Sequence, residues 1–355
     1  MRLTDSREFW SRAVRRSGPA KAGAALRLLL APAALVYGFA MRLRREAYRE
    51  GTFRVRKLDA PVISVGNVTV GGTGKTPMVQ WIARWCLRNG RKPAILSRGY
   101  RARGGGAAER KNDEALLLDR ALPQAPHYAD PDRVAAGRKA VAAGADCLLL
   151  DDGFQHLRVH RDLNLVLVDA LDPLGRGRVL PAGALREPLD CLRDADAIVL
   201  TRADALGRVA LEKVRQQTRA LIPGKPVIEA AHRAVALTLA TGVEAEPVEW
   251  LSGRRVYVFC GLGNPDGFLH TVSKLGAEIA GAHFFPDHFA YRGRDVAALA
   301  EECVRERADC ALTTEKDAVK IGAWPGMAPL RVLEVEIELT AGQAQLESML
   351  KAVGS

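Results

Sequence analysis

None of the six cysteines in this 355-residue chain forms a CxxC pair; Cys86, Cys147, Cys191, Cys260, Cys303 and Cys310 sit mostly inside apolar runs. That spacing argues against a zinc or disulfide framework and for reduced, buried thiols in a cytosolic protein. Also missing is an apolar stretch of the roughly 20 residues that a membrane-spanning helix needs. The uncharged run LLLAPAALVYGFAM at 28–41 has only 14 residues and contains Pro32. No internal repeat is evident. Basic charge spread over a folded face, as nucleic-acid binders carry it, is lacking too. The net charge is +11, yet residues 1–57 hold 14 Lys/Arg against 4 Asp/Glu, and the other 298 residues hold 38 against 37.

What is there starts with that terminal segment. Arg27 precedes the apolar run, and Arg42, Arg44 and Arg45 follow it. A helix lying in a membrane interface, held by apolar insertion and by attraction of arginine to phospholipid, uses both features. A cleaved signal peptide fits less well, because PAA at 32–34 falls inside the apolar run. The alternative is a first helix that packs on the domain core. The expected partners are therefore a membrane surface and no nucleic acid, with no obligate protein partner evident.

Apolar residues make up 48% and charged residues 26%, an ordinary globular balance. From residue 61 onward, short apolar runs alternate with helical stretches. PVISVG (61–66), PAILS (93–97), CLLLD (147–151), LNLVLVD (163–169), AIVLT (197–201) and PVIEA (226–230) predict buried strands. Helices are predicted near 76–88, 132–143 and 208–221. Continuous apolar strands with helices between them imply an α/β fold, a mostly parallel sheet covered on both faces. A smaller α/β lobe is predicted from RVYVFC (255–260) onward, with helices near 265–275 and 294–307 and a strand at 310–314. The expected organisation is a terminal segment (1–57), a core (58–230), a linker (231–253) and a second lobe (254–355). LRVLEVEIEL (330–339) would return as a linker strand. Residues 102–112 (ARGGGAAERKN) predict a mobile loop.

The strongest chemical signal is Gly71-Gly72-Thr73-Gly74-Lys75-Thr76, directly after a strand and opening a helix. Small residues let backbone N–H groups close around a triphosphate, and the helix N-terminus adds positive potential. Lys75 would reach the β/γ-phosphates and the Thr76 hydroxyl would bind Mg²⁺. The general pattern wants Gly five residues before Gly74, where this chain has Thr69. CLLLDDG (147–153) then ends a strand with Asp151 and Asp152, the arrangement that places one carboxylate beside Mg²⁺ in P-loop enzymes. ATP and Mg²⁺ are the implied cofactors. TRAD (201–204) lacks the Asn and Lys of a guanine-reading NKxD motif and carries little weight by itself. His156 and His160 stand four apart, but no third ligand with suitable spacing accompanies them.

Together the segments resemble the tetraacyldisaccharide 4′-kinase family of lipid A biosynthesis. The matching stretches are SVGNVTVGGTGKTP (64–77), LSRGYRAR (96–103), DEALLL (113–118) and LLLDDGFQHLRVHRDLNLVLVD (149–169). They continue with PAGALREPL (181–189), GLGNP (261–265), FPDHFAY (285–291) and TTEKDAVK (313–320). The resemblance implies a P-loop kinase that moves the ATP γ-phosphate to the 4′-hydroxyl of a lipid-linked glucosamine disaccharide 1-phosphate. It implies work at the cytoplasmic face of the bacterial inner membrane, peripheral or shallowly inserted. It also implies roles: Asp113 as base with His288 working beside it, Arg186 near the phosphates, and Glu187 with Asp151 or Asp152 near Mg²⁺. Tyr100, Glu114, Arg133 and His156 are further candidates. The chain departs from the family at Asn112, where Gly usually precedes the DE pair. A membrane-associated P-loop switch or partitioning ATPase would explain the phosphate loop and the basic terminus, but not LREP (185–188) or DHFAY (287–291). A soluble small-molecule kinase, with its N-terminus packed on the core, is the other reading.

Overall fold

Every predicted strand forms, and alternate residues along each show why. The computed structural model describes residues 20–99, 113–240, 245–287 and 289–354. In β4 (Cys147–Asp151), Leu149 packs on one face of the sheet while Leu148 and Leu150 pack on the other. β5 (Leu163–Asp169) splits likewise, with Leu165 and Leu167 on the first face and Val166 and Val168 on the second. Side chains alternate across a strand, so a run that is apolar at every position needs cover on both sides. The helix after the phosphate loop, α2 (Lys75–Arg88), covers the first face with Met78, Val79 and Ile82. Helix α4 (Arg133–Ala142) and α5 (Arg208–Leu221) cover the other. The six cysteines are buried and free, as their apolar settings predict.

Among the described residues the strands make one twelve-stranded sheet, ordered β10-β9-β11-β12-β7-β6-β5-β1-β4-β2-β3, with β8 (Ala245–Glu246) paired to β7. The core half holds β1 (Val62–Asn67), β2 (Pro93–Ser97), β3 (His127–Ala129), β4, β5 and β6 (Ala197–Thr201), all parallel. Helix α3 (Asp113–Ala121) lies between β2 and β3. The second lobe holds β9 (Arg255–Cys260), α6 (Pro265–Lys274), β10 (Glu278–Phe284), α7 (Gly293–Arg305) and β11 (Cys310–Thr314). Its short helix α8 (Glu315–Ala318) follows β11.

The halves are joined by β7 (Val227–Leu239) and β12 (Leu330–Ala341), antiparallel from Arg331 opposite Leu239 to Ala341 opposite Glu229. The first nine residues of the stretch expected as a linker, 231–253, are therefore strand: β7 runs through to Leu239. Helix α9 (Gln343–Ala352) then returns to the core lobe, where Leu346 and Leu350 join its main cluster.

Helix α1 (Ala20–Arg49) continues through Pro32 and is much longer than the apolar run. Leu29, Leu35, Val36, Phe39 and Leu43 are all more than half exposed. Their spacing places them on one helical stripe. Ala34, Gly38 and Arg45 are buried on the opposite side. Among the described residues no helix is long and apolar enough to cross a membrane. The C-terminal half of α1 is fixed to the core by polar ties. Tyr37 donates to the Arg186 carbonyl at 2.7 Å, Arg42 to Asp190 at 2.7 Å, and Arg49 to Asp194 at 2.7 Å. Arg45, itself buried, donates to Glu187 and Asp194 and lies over the Phe154 ring.

Arg45→Ala leaves the buried Glu187 carboxylate with only Arg44, 3.6 Å away on the solvent side. Removing one partner of a buried pair should cost roughly 3 kcal/mol, read as a lowered urea midpoint at neutral pH. A midpoint within error of the unsubstituted protein would show that the pair is energetically idle.

Candidate active site

The chain leaves β1 at Asn67 and makes the phosphate loop with two glycines in the left-handed region, Gly71 (φ 122°) and Gly74 (φ 85°). A Cβ at Gly74 would also lie 2.8 Å from the His232 ring, so this position is closed to side chains twice over. Thr69, where the general pattern wants Gly, is not left-handed. It forms an antiparallel bridge with Leu185, and its neighbours extend the pairing: Val70 N donates to Ala184 O at 2.8 Å and Arg186 N to Val68 O at 2.7 Å. A side chain is tolerated there because the backbone is extended. The Asn67 side chain supports this entry by donating to Thr69 O at 2.8 Å.

That bridge decides where LREP points. Successive residues of an extended segment face opposite ways. Arg186 turns toward the loop and donates from one Nη to both oxygens of Asp152, at 2.9 and 2.8 Å. Glu187 turns the other way. It was expected near Mg²⁺ with Asp151 or Asp152, but its carboxylate is buried against Arg45 of α1 and does not line the cavity around the phosphate loop. In this arrangement Glu187 anchors α1 beside the site.

Asp152 also receives Lys75, whose Nζ lies 3.4 Å from Oδ1 and 3.3 Å from Asn67 Oδ1. Burial works to raise the Asp152 pKa, but the Lys75 and Arg186 charges outweigh it and hold the carboxyl below the usual carboxylate range. Asp152 itself is left-handed (φ 55°), at the point where β4 turns away into Gly153. Asp151 ends β4 and is buried.

The loop is also held from its far side. Thr201, at the end of β6, donates its hydroxyl to Thr73 O at 3.0 Å. Arg202, left-handed at φ 56°, donates to Gly72 O at 3.0 Å and to Asp169 at 2.6 Å. Asn264 of the second lobe donates to the same Asp169 oxygen at 2.6 Å. Gly263 is pressed on the loop so closely that a Cβ there would fall 2.4 Å from Gly72 N. TRAD, which carried little weight as a sequence signal, is thus a buttress of the phosphate loop. Its Asp204 pairs with Lys274 of α6 at 2.8 Å. The signal that marks this role is the strand-end Thr-Arg itself, once the strand is known to neighbour β5.

Gly71, Gly72, Thr73, Gly74, Lys75 and Thr76 line one cavity of about 260 Å³ with Asp151, Asp152 and Arg186. Leu262, Asn264, Phe268 and Lys316 close it from the second lobe. The buried Thr73 hydroxyl finds no partner within the described residues. An orphaned hydroxyl in a ring of cations and loop backbone fits a phosphate oxygen. Asp113 is the first residue of α3, and Glu114 follows it. Arg133 is buried at the start of α4, behind the Asp132 cap. His288, Tyr100 and the 102–112 stretch lie outside the described residues.

Comparisons with known proteins give the family. The family model for LpxK, tetraacyldisaccharide-1-P 4′-kinase, matches residues 26–354. The chain belongs to the tetraacyldisaccharide-1-P 4′-kinase family. The tetraacyldisaccharide 4′-kinase of Anaeromyxobacter sp. (strain K) is 41% identical, over 95% of this chain and 93% of that protein. The one from Geobacter metallireducens is also 41% identical, over 83% and 88%. Among solved structures, LpxK from Aquifex aeolicus in complex with ATP superposes with a TM-score of 0.70 at 30% identity, covering 93% of this chain and 100% of that one. The fold read from the strand pattern, a P-loop core with a smaller α/β lobe, is the fold of this 4′-kinase family.

Two histidines near the site stay neutral at pH 7 in this 4′-kinase family member. Burial, then the Arg202 charge, pushes His232 down to about 3; burial, then Arg133 and other arginines, pushes His156 down to about 4. An ordinary imidazole titrates at 6.5, so on acidification the unfolded chain takes up protons first. Their contribution to stability is complete above 6.5 and is lost as pH falls toward these depressed values. Urea midpoints should therefore drop between about pH 7 and about pH 4.5, and His232→Gln should flatten that slope. An identical slope in the variant would remove His232 from the explanation.

Proposed function

We propose that this chain transfers the γ-phosphate of ATP to the 4′-hydroxyl of a tetraacyl glucosamine disaccharide 1-phosphate, giving the bisphosphorylated lipid A precursor. The observation that carries the reading is the shared cavity of the GKT loop, the DDG carboxylates and Arg186 in a member of the 4′-kinase family. The loop backbone and Lys75 bind the β/γ-phosphates, and Arg186 receives charge on the transferred group. Thr76, Asp151 and Asp152 are the residues that would hold Mg²⁺, whose chemistry here is to neutralise phosphate charge. Hard oxygen donors beside a phosphate loop suit that ion, which typically takes one or two carboxylates together with substrate phosphates. Asp113 accepts the proton of the attacking hydroxyl, and His288 works with it. In a loose transition state that proton leaves late, so an ordinary carboxylate suffices as acceptor.

The exposed stripe of α1 supplies access to the lipid. Its apolar side chains would enter the headgroup boundary. This makes the protein peripheral, at the cytoplasmic face of the inner membrane. Leu35→Asp with Phe39→Asp should cut sedimentation with anionic vesicles several-fold and leave the melting temperature unchanged, since both side chains already face solvent. Equal vesicle binding would place the contact elsewhere.

Radiolabelled ATP with purified disaccharide monophosphate lipid tests the reaction. Label should move into the lipid, and Lys75→Ala should reduce transfer by at least about a hundredfold, because the terminal phosphates lose their cation. Label released only as inorganic phosphate would favour the switch ATPase.

A further inference from the structure

Each cation lining the cavity is matched to a carboxylate. Lys75 and Arg186 share Asp152, Arg202 takes Asp169, and Lys316 Nζ lies 2.8 Å from Asp287 Oδ1. The first three belong to the core lobe. Lys316 is the one lysine or arginine that the second lobe contributes among the described lining residues. It stands just past the C-terminal end of β11, the edge of parallel strands where ligands bind. Its helix α8 packs against α3, whose first residue is Asp113, and its partner Asp287 immediately precedes His288 in the chain. On the roles proposed above for Asp113 and His288, this is the side of the cavity where transfer would take place.

Its platform is rigid. Asp317, fully buried, accepts from Gly261 N at 2.9 Å, from the Thr314 hydroxyl at 2.8 Å and from Lys320 at 2.8 Å. Thr314 in turn caps α8 by accepting from Asp317 N. These bonds fix the backbone on both sides of Lys316 and leave its four-carbon stem to place the ammonium. The bond to Asp287 is open to exchange, because that carboxylate is a third exposed and water can take over its lone pairs. A polyphosphate offers more charge and more acceptor oxygens than one carboxylate does.

We propose that Lys316 is a second phosphate-binding lysine, supplied by the second lobe, which exchanges Asp287 for the terminal phosphate of ATP. In the reaction the sugar oxygen forms its bond to phosphorus, the bond from phosphorus to the β,γ-bridging oxygen breaks, and the hydroxyl proton passes to Asp113. Lys316 keeps its own proton and stabilises charge on the moving group. This role rests on the kinase reading above.

The test compares Mg·ATP and Mg·ADP binding by titration calorimetry on full-length protein, with phosphate transfer to lipid measured alongside. Lys316→Ala should bind ADP as the unsubstituted protein does, bind ATP about tenfold more weakly and transfer about a hundredfold more slowly. Lys316→Arg should recover most of the ATP-over-ADP preference, which a merely structural lysine would not affect. Asp287→Asn, which removes the carboxylate that competes with phosphate for the ammonium, should bind ATP at least as tightly as the unsubstituted protein. An unchanged ATP:ADP ratio in Lys316→Ala overturns the proposal, as does weaker ATP binding by Asp287→Asn should the alanine variant fold poorly. Should the unsubstituted protein bind ATP but leave the lipid unlabelled, the kinase reading falls; a ratio that still collapses in Lys316→Ala keeps the phosphate contact.

Discussion

Asp152 holds two cations at once, and the rest of the site is arranged around that fact. Lys75 reaches it from the phosphate loop and Arg186 from the LREP segment. Two positive side chains so close in a partly buried cavity would repel each other and lose solvation without a negative partner. The carboxylate lets both sit ready for phosphate, in position and already partly desolvated. A divalent cation that engages Asp152 would compete with them for its oxygens and turn them toward the nucleotide. In the proposed reaction, resting ion pairs and phosphate contacts would be alternatives for the same groups.

The segment that carries Arg186 ties this centre to the outside of the molecule. Its pairing with residues 68–70 makes Arg186 and Glu187 face opposite ways, one into the cavity and one toward α1. The helix with the exposed apolar stripe is bolted through Arg45 to Glu187, next in sequence to a cation of the site. On the far side, Arg202 and Asn264 converge on Asp169, so that the second lobe rests on the phosphate loop through Gly263 and one shared carboxylate. Helix α1, phosphate loop and second lobe meet within a few residues of Gly72.

The core strands were legible in the sequence because burial on both faces leaves an unbroken apolar run, as in LLLD and LVLVD. The edge strands were not. β10 is largely exposed and β3 has three residues, so neither carries such a run. The alanine-rich second half of β7 reads weakly for any element, and only its pairing with β12 makes it strand. The phosphate loop and the DDG pair were legible because their chemistry lies in consecutive residues. The orientation of Glu187 was not, since it depends on a bridge between residues more than a hundred positions apart. The buttress at Arg202 was hidden for the same reason: its partners Gly72 and Asp169, and Asn264 that shares Asp169 with it, come from three separate segments.

The most direct measurement is the affinity for ATP with and without magnesium, in the unsubstituted protein and in Asp152→Asn. If Asp152 restrains Lys75 and Arg186 until a cation arrives, magnesium should tighten ATP binding by about tenfold or more, and the substitution should abolish most of that gain. Equal affinity under both conditions would contradict the account at its centre.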